Sequence, residues 1–267
     1  MKKVLVSLVT HSAYKDICDN FLEMFDKNWN DCNYDFCISI IGDKIIFPGR
    51  KIVYHGNKCT LPQALYNVVN DFEYDYCISF LGDAFINKKI DNKMVNHLIK
   101  DMESNNIDYC NLVPRIAYRL HKKKVNKNMR YISTNDSYNM SFVAFIASRR
   151  FVCKEFGMQY TDLDFEEKYL NRGDSKGYWY KNRVILTKNL FGLCPGITAG
   201  KWDRHVLKKL KNENPEIQFS KREMLSYSEM LKNDMIVVFQ IFASQRQRII
   251  MKKVISKITG IKFVTEY

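Results

Sequence analysis

Apolar positions in the first two-thirds of the chain alternate between short continuous runs and helical spacing. Residues 4–10 (VLVSLVT) form an almost unbroken apolar run, the pattern of a strand buried on both faces of a parallel sheet. Ser12 then stands where it can cap a helix over 16–27, with Ile17, Phe21, Leu22 and Phe25 on its apolar face. Residues 36–41 read as a second strand ended by Gly42-Asp43, 51–54 as a short third, 61–69 as a helix, and 76–81 as a central strand ending in Gly82-Asp83. Ile90, Met94, Leu98 and Met102 recur every four residues on a further helix. Residues 107–113, stopped by Pro114, and then 141–147 and 184–187 read as strands. Such alternation predicts an α/β fold with a mostly parallel central sheet flanked by helices. Ligands of such sheets collect at the carboxyl ends of the strands. Thr10, His11, Ser12, Asp43, Asp83 and Arg115 all follow strand ends, so they are expected to converge on one rim.

Composition narrows the class. Apolar residues make up 46% and charged residues 27%, as in a globular domain rather than a disordered chain. Five prolines and eleven glycines leave no linker-like stretch, so the expectation is one domain over 1–215 with a helical, basic and amphipathic C-terminal extension over 216–267. The apolar run at 4–9 is too short for a signal peptide core, and 235–243 is too short for a membrane span. A cytoplasmic protein is expected. Cys37, Cys77 and Cys110 sit inside apolar runs, and no CxxC pair occurs among the eight cysteines, which points to reduced core thiols rather than disulfides or zinc.

The net charge of +13 is unevenly placed. Residues 115–130 hold seven Lys/Arg and no acid, and 201–267 hold fourteen basic against seven acidic residues. Two basic zones on a near-neutral body suit an anionic partner, although solvated basic surface is the plainer explanation.

Three stretches carry candidate chemistry. Asp83, directly after a buried strand, can hold a divalent cation or ligand hydroxyls; it can equally be a turn residue capping a following helix. Asp162, Asp164, Glu166 and Glu167 can supply a general base, or can be first-turn acids of a helix that Thr161 opens. Gly192, Gly196 and Gly200 lead into Lys201-Trp202, a cation and an indole suited to a diphosphate and a sugar, or else a plain loop with a part-buried tryptophan. No P-loop and no GxGxxG is present.

These pieces, in order, give the chain its likeness. The opening VLVSLVTHSAYKDICDNFLEMFDKNW, the central YDYCISFLGDAFI, then SFVAFIASRRF, DLDFEEKYL and ITAGKWDRHVLKKL resemble the GT-A-type glycosyltransferases of bacterial capsule and surface-polysaccharide synthesis. The resemblance spans roughly residues 4–215. It implies that Thr10, His11, Ser12 and Tyr14 hold the nucleotide of a nucleotide-sugar donor, with Asp43 near the base or ribose. By the same likeness Asp83 meets the donor diphosphate through Mn²⁺ or Mg²⁺, Glu166 is the catalytic base, and Lys201 and Trp202 close over diphosphate and acceptor. The family's acidic pair or triplet is reduced here to Gly82-Asp83-Ala84, and this puts metal dependence in question. One base without a nucleophile implies inversion at the anomeric carbon.

Residues 244–258 place Ile250, Met251, Val254, Ile255 and Ile258 on one helical side and Lys252, Lys253, Ser256 and Lys257 on the other. Such a helix suits the anionic inner face of the plasma membrane and a lipid-linked acceptor, or a berth on the protein body. The competing class is a non-catalytic basic binding protein for nucleic acid or an acidic polymer. Against nucleic acid, the aromatics lie in apolar runs rather than between basic residues.

Overall fold

Every residue of β1 (Val4–His11) except His11 is buried, because the strand lies at the middle of a sheet covered on both faces. A computed structural model describes residues 2–115, 118, 123–134, 136, 139–157 and 179–242. After β1, a single 3-10 turn (Ser12–Tyr14) leads into α1 (Lys15–Asn28), followed by β2 (Asp35–Ile41), β3 (Lys51–Gly56) and α2 (Leu61–Asp71). Then come β4 (Tyr76–Leu81), β5 (Ala84–Ile86), α3 (Asn92–Ser104), β6 (Tyr109–Asn111), β7 (Met129–Ser133), β8 (Ala144–Ser148) and α4 (Arg149–Phe156). The chain continues with β9 (Trp179–Leu186), β10 (Leu193–Pro195), β11 (Ile197–Thr198), β12 (Lys201–Trp202), α5 (Arg204–Glu213) and α6 (Tyr227–Phe242).

The large sheet runs β3-β2-β1-β4-β8-β6-β9-β7. Four of its seven pairings are parallel, and the antiparallel ones all lie beyond β4. Alternation along β1 divides the core. Val4, Val6 and Leu8 face α1 and α3 through Ile17, Phe21, Met24, Val95 and Leu98. Leu5 and Val9 face α2 and α4 through Leu65, Val68, Phe151 and Val152. This is the period of two expected of a strand with both faces covered.

Several local expectations change. Ser12 does not cap α1; Tyr14 precedes that helix and makes no side-chain cap. Asp91 caps α3, so Ile90 falls just outside the helix. The stretch from Gly192 to Gly200, expected as a glycine loop, forms β10, paired with β5, and the hairpin β11–β12. Ala199 at φ 49° and Gly200 at φ 79° occupy the two hairpin corners, the positive-φ pair that fits the right-handed strand twist. Beyond residue 215 the chain is not helical at once. Residues 216–226 lie as a strap against α1 and β12 before α6 begins, with Ser220 bonded to Asn20 and Leu225 to Trp202. Among the described residues all cysteines are free, and no helix is long and apolar enough to cross a membrane. The acidic stretch 162–167 and the amphipathic stretch 244–258 lie outside the described residues.

Candidate functional site

The carboxyl ends of β1 and β4 open into a cavity of about 510 Å³. Thr10, His11 and Tyr14 form one wall, Gly82 and Asp83 another, and Asn57, Cys59 and Leu61 the side leading into α2. The tip of the β11–β12 hairpin, Ala199 and Gly200, closes the rim, while Val9, Ile17, Ile41 and Leu81 make the floor apolar. A small-molecule site of this kind has an apolar bed and a few placed polar groups.

Two glycines let the strand ends come this close. Gly42, at φ 102°, could not carry a Cβ: the added atom would stand 2.3 Å from the Ser12 hydroxyl oxygen and 3.1 Å from the His11 ring. At Gly82 a Cβ would stand 3.0 Å from the Thr10 hydroxyl. The turn after β1 is held by its own polar groups. The His11 Nδ1 accepts from the Ala13 N–H at 3.1 Å, and the Ser12 hydroxyl accepts from the Asp43 N–H at 3.0 Å. Asn57 donates to the Asp43 carboxylate at 3.3 Å. Ser12 and Asp43 therefore support the wall from behind, and Asn57 carries that support to the cavity.

Among the described residues, Asp83 is the one acidic group on the lining. It is half-buried beside apolar residues, and burial pushes its carboxyl from 3.8 up to about 6, with only its own backbone N–H opposing. The helix-capping alternative fails, since β5 follows directly and no helix begins before Asn92. No Lys or Arg among the described residues lines the cavity. An anionic ligand must therefore bring or find its counter-charge elsewhere. As a metal cage the lining is incomplete: Asp83 offers one carboxylate where Mg²⁺ or Mn²⁺ asks for six or so ligands. Among the described residues no group of three His, Cys, Asp or Glu could hold an ion.

Of the remaining expected residues, three take other roles. Trp202 has no exposed surface; its ring stacks on Phe85 at 5.2 Å, Phe219 meets it edge-on at 5.9 Å, and its indole N–H donates to Ser220. It is a core residue and offers no face to a sugar, because β5 and the strap cover it. Lys201 lies off the lining, with its ammonium 3.1 Å from Glu229 and 3.8 Å from Glu223. Those carboxylates take the charge that a diphosphate was expected to use. Arg115 pairs with Asp136 at 2.8 Å and is not on the lining. Glu166 lies outside the described residues. Asn57 and Ala199 carry no motif in the sequence, and Gly200, read there as part of a loop leading to Lys201, is itself on the lining.

No protein-family model and no curated protein sequence matches the chain. Among solved structures it is similar to a cytidylyltransferase from Leptospira borgpetersenii serovar Hardjo-bovis, with 12% identity, TM-score 0.47, and 92% of this chain and 99% of that one covered. It is similar to CMP:2-keto-3-deoxy-manno-octonic acid synthetase complexed with CTP, with 12% identity, TM-score 0.44, and 80% and 99% covered. It is also similar to S. aureus TarS, with 11% identity and TM-score 0.46; there 92% of this chain covers 44% of that one.

Proposed function

We propose that the chain is a glycosyltransferase that holds a nucleotide-diphosphate sugar between the ends of β1 and β4 and passes the sugar to a hydroxyl of a carbohydrate acceptor. The observation that carries this reading is the meeting of Asp83 with Thr10, His11 and Tyr14, far apart in sequence, around one cavity of about 510 Å³. Its apolar floor and the Tyr14 ring suit a base and ribose, and Asp83 suits the polar end of the donor. Ser12 and Asp43 support the nucleotide wall rather than touch the ligand.

Glu166 is the proposed base. It takes the proton from the acceptor hydroxyl as that oxygen bonds to the anomeric carbon; the bond from that carbon to the diphosphate oxygen breaks, and the configuration inverts. A divalent cation bound with the donor would supply positive charge to the leaving diphosphate, with Asp83 as one of its ligands.

The test is a binding and transfer assay with nucleoside diphosphates and nucleotide sugars, with and without Mn²⁺. Glu166→Gln is expected to lower transfer by at least about a hundredfold, the scale of a lost general base, with donor affinity near wild type. Wild-type turnover in that variant removes Glu166 from the mechanism. A wild-type chain that binds no nucleotide ends the whole reading.

A further inference from the structure

The turn that carries Tyr14 into the cavity wall is three residues long, and such a turn has little stability of its own. The bonds of His11 and Ser12 hold its start, and side chains from elsewhere in the fold hold its end. His11 holds the Ala13 N–H and Ser12 holds the Asp43 N–H, and neither bond involves the Tyr14 ring or the Ala13 carbonyl. Both of these are met by one residue from the far end of the described chain. The Arg222 guanidinium donates to the two Asp16 carboxylate oxygens at 2.7 and 2.6 Å and to the Ala13 carbonyl at 2.7 Å. Its central carbon lies 4.5 Å from the centre of the Tyr14 ring.

We propose that Arg222 is a positioning residue for the cavity: it fixes the Tyr14 ring as a wall and thereby sets affinity for the nucleotide, an inference that rests on the function proposed above. Arginine is the side chain this requires. Its planar fork engages a carboxylate through two parallel bonds while its flat face lies on an aromatic ring, and a lysine cannot do both. Arg222 is itself anchored by the strap. Asn20 donates to the Gln218 carbonyl and accepts from the Ser220 N–H, and Lys27 pairs with Glu216. On the other side, the Trp202 N–H donates to the Glu223 carbonyl and the Leu225 N–H donates to the Trp202 carbonyl. The strap thus bonds to α1 and to the β11–β12 hairpin together. Tyr14 and the hairpin tip approach each other here, since a Cβ on Gly200 would lie 3.6 Å from the Tyr14 hydroxyl. Arg222 reaches one wall directly, and its strap neighbours hold the other.

The experiment compares wild type with Arg222→Ala, Arg222→Lys, Tyr14→Ala, the Tyr14→Ala/Arg222→Ala pair, and Asn20→Ala as a variant that frees the strap at another anchor. Affinity for ADP, GDP, UDP, CDP and dTDP with Mn²⁺ is read together with amide hydrogen exchange over residues 12–15. Arg222→Ala is expected to weaken binding about tenfold and to speed exchange at 12–15, with Arg222→Lys between it and wild type. Asn20→Ala should weaken binding by less than Arg222→Ala, because the Lys27–Glu216 pair and the backbone bonds to Trp202 still hold the strap. The paired variant should bind no more weakly than Tyr14→Ala alone, because Arg222 acts through that ring. Additive losses, an equal loss in Asn20→Ala, or unchanged exchange in Arg222→Ala would overturn the proposal. If wild type binds none of the five nucleotides, the proposed function fails, and exchange at 12–15 still decides whether Arg222 fixes the turn.

Discussion

Asp83 should make the protein less stable at neutral pH than it would be without that charge. Its carboxyl is raised from 3.8 to about 6 in the folded chain, so between these values the native state holds more protons than the unfolded one. Stability then falls as pH rises through that window, and above about 6 the full penalty is present. At 1.36 kcal/mol per pH unit, the rise from 3.8 to about 6 corresponds to about 3 kcal/mol. The cavity is open to water, which lowers the expected value to about 1–2 kcal/mol. Asp83→Asn removes the charge while keeping the shape. At pH 8 it should raise the melting temperature by about 2–8 °C, using 2–4 °C per kcal/mol for a chain of this size. Near pH 4 the gain should be nearly gone, since the wild-type carboxyl is then neutral in the native state. Thermal unfolding from pH 4 to 8, read by calorimetry or circular dichroism, makes the comparison. The same variant should lose affinity for nucleoside diphosphates in the presence of Mn²⁺. A gain that is absent at pH 8, or equal at pH 4 and pH 8, would refute the buried-carboxylate argument.

Two further outcomes follow from packing. Gly42→Ala puts a methyl into the Ser12 hydroxyl at a left-handed backbone position, and should cost about 1–3 kcal/mol while weakening nucleotide binding. Thermal melts and titration on one preparation check it, and an unchanged melting temperature contradicts the steric conflict. Trp202→Phe removes the indole N–H bond to Ser220 and leaves a void beside Phe85, for a loss of about 1–3 kcal/mol. Its nucleotide affinity should stay within about twofold of wild type, because the indole meets only protein; a loss of tenfold or more, measured well below the melting temperature, would restore Trp202 to the ligand site.

The legible part of this protein is the part written in short-range periodicity. The apolar run of β1, the i, i+4 face of α1 through Ile17 and Phe21, and the strand end at Gly82-Asp83 could be read directly, because burial on one face repeats every two or 3.6 residues whatever the chain does elsewhere. From these strands and the rule for parallel sheets, the meeting of Thr10, His11 and Asp83 was also foreseeable. Ser12 and Asp43 were placed near that rim, yet their bond to one another depends on how β1 and β2 end side by side.

The sequence alone settled the α/β alternation, the rim of the sheet where the cavity opens, and the acid that stands on it. Tertiary structure alone decided which charges are spent inside the fold. Lys201 looks like a phosphate ligand until Glu223 and Glu229 reach it, and Trp202 looks like a sugar platform until Phe85 and Phe219 enclose it. Arg222 carries no motif, and its meaning arises only when a strap 206 residues away folds onto Asp16 and Tyr14. Periodicity reports what one element does with its neighbours along the chain; pairing between distant segments depends on the whole packing and leaves no local trace.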